Sequence, residues 1–212
     1  MLLTNKERYR LNKLKVFEKE CYSNGYELVA GIDEVGRGPL AGPVVACAVI
    51  LPKKINIKKI NDSKKLTKKD REDICSKLIS NPKVIYAVSI IEHTIIDKIN
   101  IFQSSLLAMK NAVNKLKVKP DYLLFDGKFH PQISTPSKAI IKGDSKSISI
   151  SAASIIAKVT RDKIMIDYHE KYPEYRFDLH KGYGTKLHKK ALLDFGPCEI
   201  HRKSFAPVRI LT

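Results

Sequence analysis

Cysteine is scarce in this 212-residue chain, and so are long apolar runs. The four cysteines lie far apart, form no Cys-x-x-Cys pair and have no histidines nearby at zinc spacing, which argues against a zinc site and favours reduced, mostly buried thiols. The longest apolar run, at about residues 44–51, is too short to span a bilayer, and residues 1–8 lack the apolar core of a signal peptide. We therefore expect a soluble, cytoplasmic protein without a membrane partner.

Acidic residues are also in short supply. The chain has 22 Asp and Glu against 39 Lys and Arg, which leaves a formal net charge of +17. A surface this positive attracts polyanions, of which nucleic acid is the usual one. Most of the excess lies in lysine pairs such as Lys53-Lys54 and Lys68-Lys69, and such pairs are also typical of a solvated face. Charge therefore favours a nucleic-acid partner without establishing one.

Helix and strand patterns are mixed along the chain, and its 43% hydrophobic residues can bury one substantial core. Apolar residues at helical spacing over 11–21 end at Asn24-Gly25, which predicts a leader helix. Thr67 and Asp70 have the spacing of a capping box and predict a helix that reaches about Ser80. The other predicted elements include strands at 27–32, 44–51 and 84–91 and a helix at 101–116.

Carboxylates follow three short apolar runs. Asp33 and Glu34 come directly after the run at 28–32, Asp126 ends the run that starts at 121, and Asp144 follows 139–141 and a glycine. The end of a buried strand can carry acids into a cleft, where neighbouring carboxylates raise each other's pKa unless a cation lies beside them. A divalent metal site is one interpretation. The other is an acid pair that caps a helix, with ordinary Asp-Gly turns elsewhere.

Glycines and serines near these acids favour a second ligand. Gly36 and Gly38 have no Cβ, so their backbone N–H groups can approach a ligand closely while Arg37 points at it. Residues 145–154 are rich in small hydroxyl side chains and lead into a long amphipathic helix, an arrangement that suits a phosphate. Ordinary serine capping explains any single serine equally well.

Seven sequence blocks, from about Glu27 to the C-terminus, resemble type 2 ribonuclease H in order and spacing. They are GIDEVGRGPLAGPVV at 31–45, NDSKKL at 61–66, DGK at 126–128, KGD at 142–144, AASIIAKV at 152–159, HKGYGT at 180–185 and IHRKSF at 200–205. The resemblance implies an endonuclease that cuts the RNA strand of RNA–DNA hybrids. It also implies nicking on the 5′ side of a single ribonucleotide embedded in duplex DNA, which leaves 3′-hydroxyl and 5′-phosphate ends.

The resemblance assigns roles to individual residues. Four of them match the family's metal-binding and catalytic acids, namely Asp33, Glu34, Asp126 and Asp144. These acids would hold two divalent ions, Mn²⁺ or Mg²⁺, about 3.5–4 Å apart. The backbone that reads the 2′-hydroxyl and the tyrosine that stacks on the next sugar correspond to Gly36, Arg37, Gly38 and Tyr183. We expect further phosphate contacts from Lys64, Lys128, Lys146 and Ser151.

Some assignments have an alternative. Taken without the family, Tyr183 would more often be a packing aromatic, and His201 and Arg202 could equally be structural contacts of the C-terminal portion. Val35 stands where the family often has alanine.

The implied fold is ribonuclease H-like α/β, with a mixed central sheet flanked by helices and a helical C-terminal portion beside the cleft. We expect an N-terminal helical leader at 1–26, too short for the extra domain of type 3 ribonuclease H, and a catalytic domain at 27–212. Related folds host other nucleases, so another two-metal nuclease is the alternative within the enzyme class. A non-catalytic, basic nucleic-acid-binding protein is the alternative outside it. We expect a monomer whose partners are the hybrid or the ribonucleotide-containing duplex, and the sequence leaves a sliding-clamp partner open.

Overall fold

A computed structural model describes residues 4–211, which form a mixed five-stranded sheet. The strands are β1 Val29–Val35, β2 Val44–Ile50, β3 Ile85–Ile91, β4 Tyr122–Asp126 and β5 Ser137–Ile140. Their spatial order is β3-β2-β1-β4-β5. The pairs β1–β2 and β2–β3 are antiparallel, whereas β1–β4 and β4–β5 are parallel. The carboxyl ends of β1, β4 and β5 therefore meet at one edge of the sheet.

Eight α-helices surround this sheet within residues 4–211. They are α1 Asn5–Leu14, α2 Val16–Ser23, α3 Lys68–Ile79, α4 His93–Asn114, α5 Ile148–Lys171, α6 Phe177–His180, α7 Lys186–Phe195 and α8 Ala206–Arg209. A 3₁₀ turn at Gly143–Ser145 leads into α5, and a second one at Pro173–Tyr175 follows it. None of the helices in this described part is long and apolar enough to cross a bilayer.

The hydrophobic core has two layers because β2 is buried on both faces. All seven of its residues are buried, and successive side chains point to opposite sides of the sheet. Val45, Cys47 and Val49 pack with α3 and α5, whereas Val44 and Ala46 pack in the cluster that includes α4. At Gly31 of β1, an added Cβ would lie 2.2 Å from the carbonyl carbon of Ser149. Only glycine therefore lets α5 approach β1 this closely.

The mixed sheet and its flanking helices confirm the predicted fold class. The capping prediction at Thr67 is confirmed, since its hydroxyl accepts from the backbone N–H of Asp70 at 3.1 Å. The predicted leader helix is in fact two helices that meet at Lys15. Residues 1–3 and 212, which belong to the two predicted segments, lie outside the described residues.

The four cysteines form no disulfide within residues 4–211. Three of them are buried and Cys198 is half-buried.

Candidate active site

Three carboxylates converge at the sheet edge where the parallel strands end. Asp33 lies on β1, Asp126 is the last residue of β4, and Asp144 lies in the 3₁₀ turn after β5. Each offers an oxygen, and these oxygens all lie within 4.8 Å of one another. The backbone N–H of Gly143 donates to Asp126 Oδ1 at 2.6 Å, which ties the turn to the end of β4. The structure therefore brings together three of the four acids that the sequence singles out.

Glu34 lies beside this group but is not a member of it. Its backbone N–H donates to Asp33 Oδ1 at 2.7 Å, and its Oε1 lies 3.5 Å from Nη1 of Arg37. Its other carboxylate oxygen, Oε2, is buried and has no hydrogen-bond partner among the residues of 4–211. A buried carboxylate oxygen without a partner is costly, so this atom is available to a cation or a bound water.

Burial and mutual repulsion raise the pKa values of these acids. For Asp33, burial raises the pKa well above its usual range, and the charges of Glu34 and Asp126 raise it further. Burial also raises the pKa of Glu34 to about 7, although the Arg37 guanidinium opposes the rise. The pKa of Asp144 is raised by burial and then by Asp126. These acids supply only oxygen donors, and their raised pKa values mean that their negative charges are unfavourable without a cation. Such a site fits a divalent cation such as Mg²⁺ or Mn²⁺.

A cleft of about 440 Å³ opens in front of the acids. Its walls contain Asp33, Glu34, Val35, Gly36, Arg37, Gly38, Ser63, Lys64, Asp126, Ser154, Lys158 and Tyr183. Lys64 is the predicted phosphate contact that lies here. Burial lowers its pKa, but the carboxylates of Asp144 and Asp33 outweigh that effect and raise it, so the amine stays charged.

The other predicted phosphate contacts lie elsewhere. Lys128 is exposed and does not line the cleft, and Lys146 lines a neighbouring groove. The prediction for Ser151 is wrong, because its side chain is fully buried and its Oγ lies 2.6 Å from the carbonyl oxygen of Asp144 and 2.8 Å from that of Ser147. Its single hydroxyl proton is directed to the backbone, so Ser151 ties the turn that carries Asp144 to the start of α5.

Two buried arginines hold the loop that follows β1. Arg202 donates from Nε, Nη1 and Nη2 to four loop carbonyls, those of Gly36, Arg37, Pro39 and Gly42, at 2.6–3.1 Å. Arg161 donates to the carbonyls of Ala41, Pro43 and Lys181 at 2.9–3.1 Å. Both side chains are fully buried, and burial lowers their pKa values, to about 9 for Arg202 and about 10 for Arg161. Backbone carbonyls thus take the place of carboxylate partners.

Sequence reasoning did not identify Arg161, although an arginine on the apolar face of α5 was a usable signal. It also left open the role of Arg202, which the structure resolves as an anchor of the loop. At Gly36, where φ is 97°, a Cβ would lie 2.4 Å from Nε of Arg161. A side chain at position 36 would therefore clash with Arg161, so this close contact between the loop and Arg161 requires glycine. Asp62 was also missed, and its carboxyl raises the pKa of Asp144.

Tyr183 stands at the rim of the cleft rather than in the core. Its side chain is 39% exposed, and a Cβ at Gly38 would lie 3.7 Å from its Cε1 atom. The cations of Lys158 and Arg161 lie 6.0 and 5.9 Å from its ring centroid. Its backbone is held on both sides, since its N–H donates to the His180 carbonyl at 2.9 Å and its carbonyl lies 3.0 Å from Nδ1 of His188. Tyr183 is therefore not a fully buried core residue.

Known proteins are similar to this chain in both sequence and fold. The sequence profile of Ribonuclease HII matches residues 30–208. Ribonuclease HII of Chlamydia caviae is 52% identical over 208 residues, which is 98% of this chain and 97% of that protein. The crystal structure of ribonuclease H2 from Pyrococcus horikoshii superposes with a TM-score of 0.72 at 29% identity, over 87% of this chain and 97% of that one.

A further solved structure, the PCNA:RNase HII complex from Archaeoglobus fulgidus, superposes with a TM-score of 0.70 over 85% of this chain and 96% of that one. Its 23% identity extends the likeness of fold alone. The profile match and the close relative cover nearly the whole sequence, including the blocks that carry the three converging acids. This chain therefore belongs to the ribonuclease HII family, whose members are divalent-metal-dependent ribonuclease H endonucleases that act on RNA–DNA hybrids.

Proposed function

We propose that this enzyme, besides cutting the RNA strand of RNA–DNA hybrids, nicks duplex DNA on the 5′ side of a single embedded ribonucleotide and leaves 3′-hydroxyl and 5′-phosphate ends. The observation that carries the proposal is that Asp33 and Asp126 share one cleft with the backbone of Gly36 and Gly38 and with an exposed tyrosine, Tyr183. One ribonucleotide differs from its neighbours by a single 2′-hydroxyl. A rigid stretch of backbone beside the acids, with N–H groups that can contact the 2′-hydroxyl, suits the recognition of a single ribonucleotide.

In this proposal, Asp33, Asp126 and Asp144 hold two divalent ions, and Glu34 supplies its unpartnered Oε2. Oxygen ligands suit Mg²⁺ and Mn²⁺ alike, so either ion can serve. When bound, the ions activate a water molecule as the nucleophile and stabilise the charge that develops on the departing 3′ oxygen. The chain itself contributes the orientation of the carboxylates and, through Lys64, a positive charge next to them.

Selectivity in this proposal belongs to the loop that the two buried arginines hold. Arg202 and Arg161 bind six carbonyls between residues 36 and 43, and in this proposal that anchoring preorganises the N–H groups of Gly36 and Gly38 for the substrate. Arg37, whose side chain is about half exposed and lies 3.5 Å from Glu34 Oε1, approaches the same hydroxyl in this proposal. The Tyr183 ring then stacks on the sugar that follows the ribonucleotide.

The state and location of the enzyme are proposals as well. We propose that it works as a monomer in the cytoplasm. The Archaeoglobus complex motivates a test for a sliding-clamp partner. The residues near the C-terminus do not form an entirely free tail, because Val208 is fully buried. Ile210, two residues later, is 80% exposed. The two alternatives, another two-metal nuclease and a non-catalytic binding protein, do not account for the family match over 30–208.

The test uses a DNA duplex with one ribonucleotide, incubated with Mg²⁺, Mn²⁺ or EDTA. We expect a single nick 5′ of the ribonucleotide with either metal and none with EDTA. The all-DNA duplex of the same sequence is the negative control, and a uniform RNA–DNA hybrid is the positive control. Cleavage of the hybrid together with an intact single-ribonucleotide duplex would contradict the proposal.

A further inference from the structure

The leader helices α1 and α2 are fixed to the catalytic domain by polar as well as apolar contacts. Leu11 and Leu14 are buried in the core cluster that contains α3 and α5. Arg10 Nη1 donates to the carbonyl of Ile60 at 2.6 Å, and Lys15 Nζ donates to that of Ile55 at 2.5 Å. The leader thus lies against the loop between β2 and α3, the loop that carries Lys64 into the cleft.

A buried carboxylate joins the leader to the start of α5. Glu18 of α2 is only 4% exposed, and its Oε1 accepts from the hydroxyls of Ser147 and Ser149 and from the backbone N–H of Ser149 at 2.5–3.0 Å. A negative charge at this position also complements the N-terminal end of the α5 dipole. The leader therefore holds a defined position next to the turn that carries Asp144.

A groove of about 380 Å³ separates the leader from that turn. It is lined by Arg10, Lys13, Leu14, Val16, Phe17, Asn61, Ser145 and Lys146, a set with three cations and no carboxylate. Arg10 already has a partner in Glu7, at 2.7 Å. Lys13 lies over the Tyr9 ring, with 4.8 Å between its amine and the ring centroid. No ion pair within residues 4–211 involves Lys13 or Lys146, so the groove carries uncompensated positive charge.

The groove is lined by residues that are close in sequence to residues of the acidic site. Lys146 is two residues from Asp144, so their Cα atoms are at most about 7.6 Å apart. On the other wall, Asn61 is three residues from Lys64 in the same loop. The groove is therefore near the acids, within reach of a strand whose phosphate lies there.

We propose that this groove binds the phosphate backbone of the substrate strand next to the cleaved position, with Lys13 of the leader and Lys146 as the contacts. The proposal rests on the proposed function and extends it to a segment that precedes the family match at 30–208. A charged groove without acidic residues suits a phosphate, and the fixed position of the leader makes the contact specific to the groove.

The test measures binding of a fluorescently labelled RNA–DNA hybrid in EDTA, so that no cleavage occurs, as a function of salt. Lys13→Gln should weaken binding at low salt and make the slope of log K against log salt shallower by about 0.9, the value for one phosphate contact. The matched control is Arg8→Gln, which removes the same charge from an exposed residue of α1 outside the groove lining. It should leave the slope unchanged.

An unchanged slope in Lys13→Gln would overturn the proposal. An equal loss of slope in both variants would also overturn it, because the effect would then come from the overall positive charge of the protein and not from a contact in the groove. Melting temperatures of both variants should equal that of the unmutated enzyme. Nicking of the single-ribonucleotide duplex by the unmutated enzyme tests the proposed function separately. A failure there leaves the binding comparison intact, and the reverse also holds.

Discussion

The Nε2 atoms of His188 and His201 lie 2.9 Å apart in the buried layer beneath the tyrosine at the cleft rim. His188 Nδ1 faces the Tyr183 carbonyl at 3.0 Å and must donate, so its Nε2 accepts. His201 therefore donates from Nε2, and its Nδ1 accepts from the backbone N–H of Cys198 at 2.9 Å. This assignment from the hydrogen-bond network requires both rings to be neutral.

The contribution of this pair to stability should consequently fall in mild acid. Burial lowers the pKa values of His188 and His201 to about 4, against 6.5 for the usual histidine. Between pH 6.5 and pH 4 these two histidines bind protons in the unfolded chain but not in the folded protein. Their contribution to the free energy of unfolding therefore decreases as pH falls through this window and is fully retained above it. Urea unfolding at a series of pH values measures this.

The control for that prediction is His201→Gln, because the buried carboxyls of the cleft, whose pKa values are raised, contribute a pH dependence of the opposite sign. We expect the variant to be less stable at pH 7 and to lose less stability on acidification than the unmutated enzyme. Parallel pH profiles would mean that the pair is not the source of the acid sensitivity.

Removal of one acid should separate catalysis from folding. We expect Asp33→Asn and Asp126→Asn each to reduce nicking by more than the roughly 10–100-fold typical of residues that only support a metal ligand. The metal-free melting temperature of Asp33→Asn should hold or rise, because burial and the neighbouring carboxylates raise the pKa of Asp33 and so disfavour its charge. Asp73→Asn, on the exposed face of α3, is the matched control and should cleave normally. Near-normal cleavage by either cleft variant would show that these acids are not ligands.

The carbonyl anchor at Arg202 should be sensitive to geometry as well as to charge. Arg202→Met leaves four carbonyls without their donor, at about 1–3 kcal/mol for each buried group that stays unpaired. Arg202→Lys keeps the charge but not the fork, so its free energy of unfolding should lie between those of Met and Arg. Chemical unfolding of the three proteins gives the order. Equal stability of the Met variant and the unmutated enzyme would contradict this role.

The ring of Tyr183 should matter more for cleavage than for folding. Because the side chain is 39% exposed, Tyr183→Ala should cost well below the roughly 3–5 kcal/mol of a buried aromatic, yet remove most single-ribonucleotide nicking. Tyr183→Phe keeps the ring and should retain part of the activity. Melting temperature and nicking rate are measured on the same preparations. A large drop in melting temperature with a proportionate loss of nicking would mean that the ring serves packing alone.

Local sequence patterns correctly predicted the features that depend only on residues close together in the sequence. The cap at Thr67 depends on residues three apart, and the end of the leader at Asn24-Gly25 depends on one left-handed glycine, whose φ is 87°. An apolar run followed by an acid marked Asp33 and Asp126. Only Asp126 is the last residue of its strand, because β1 continues past Asp33 to Val35.

Only the tertiary structure determines which of these local features lie close together in space. The three acids converge because β4 and β5 run parallel to β1, a pairing that no short segment of the chain encodes. Whether a polar side chain faces solvent or backbone depends on residues far away in sequence. For this reason Ser151 is a buried support and Tyr183 an exposed ring, and Arg202 reaches Gly36 across 166 positions of the chain.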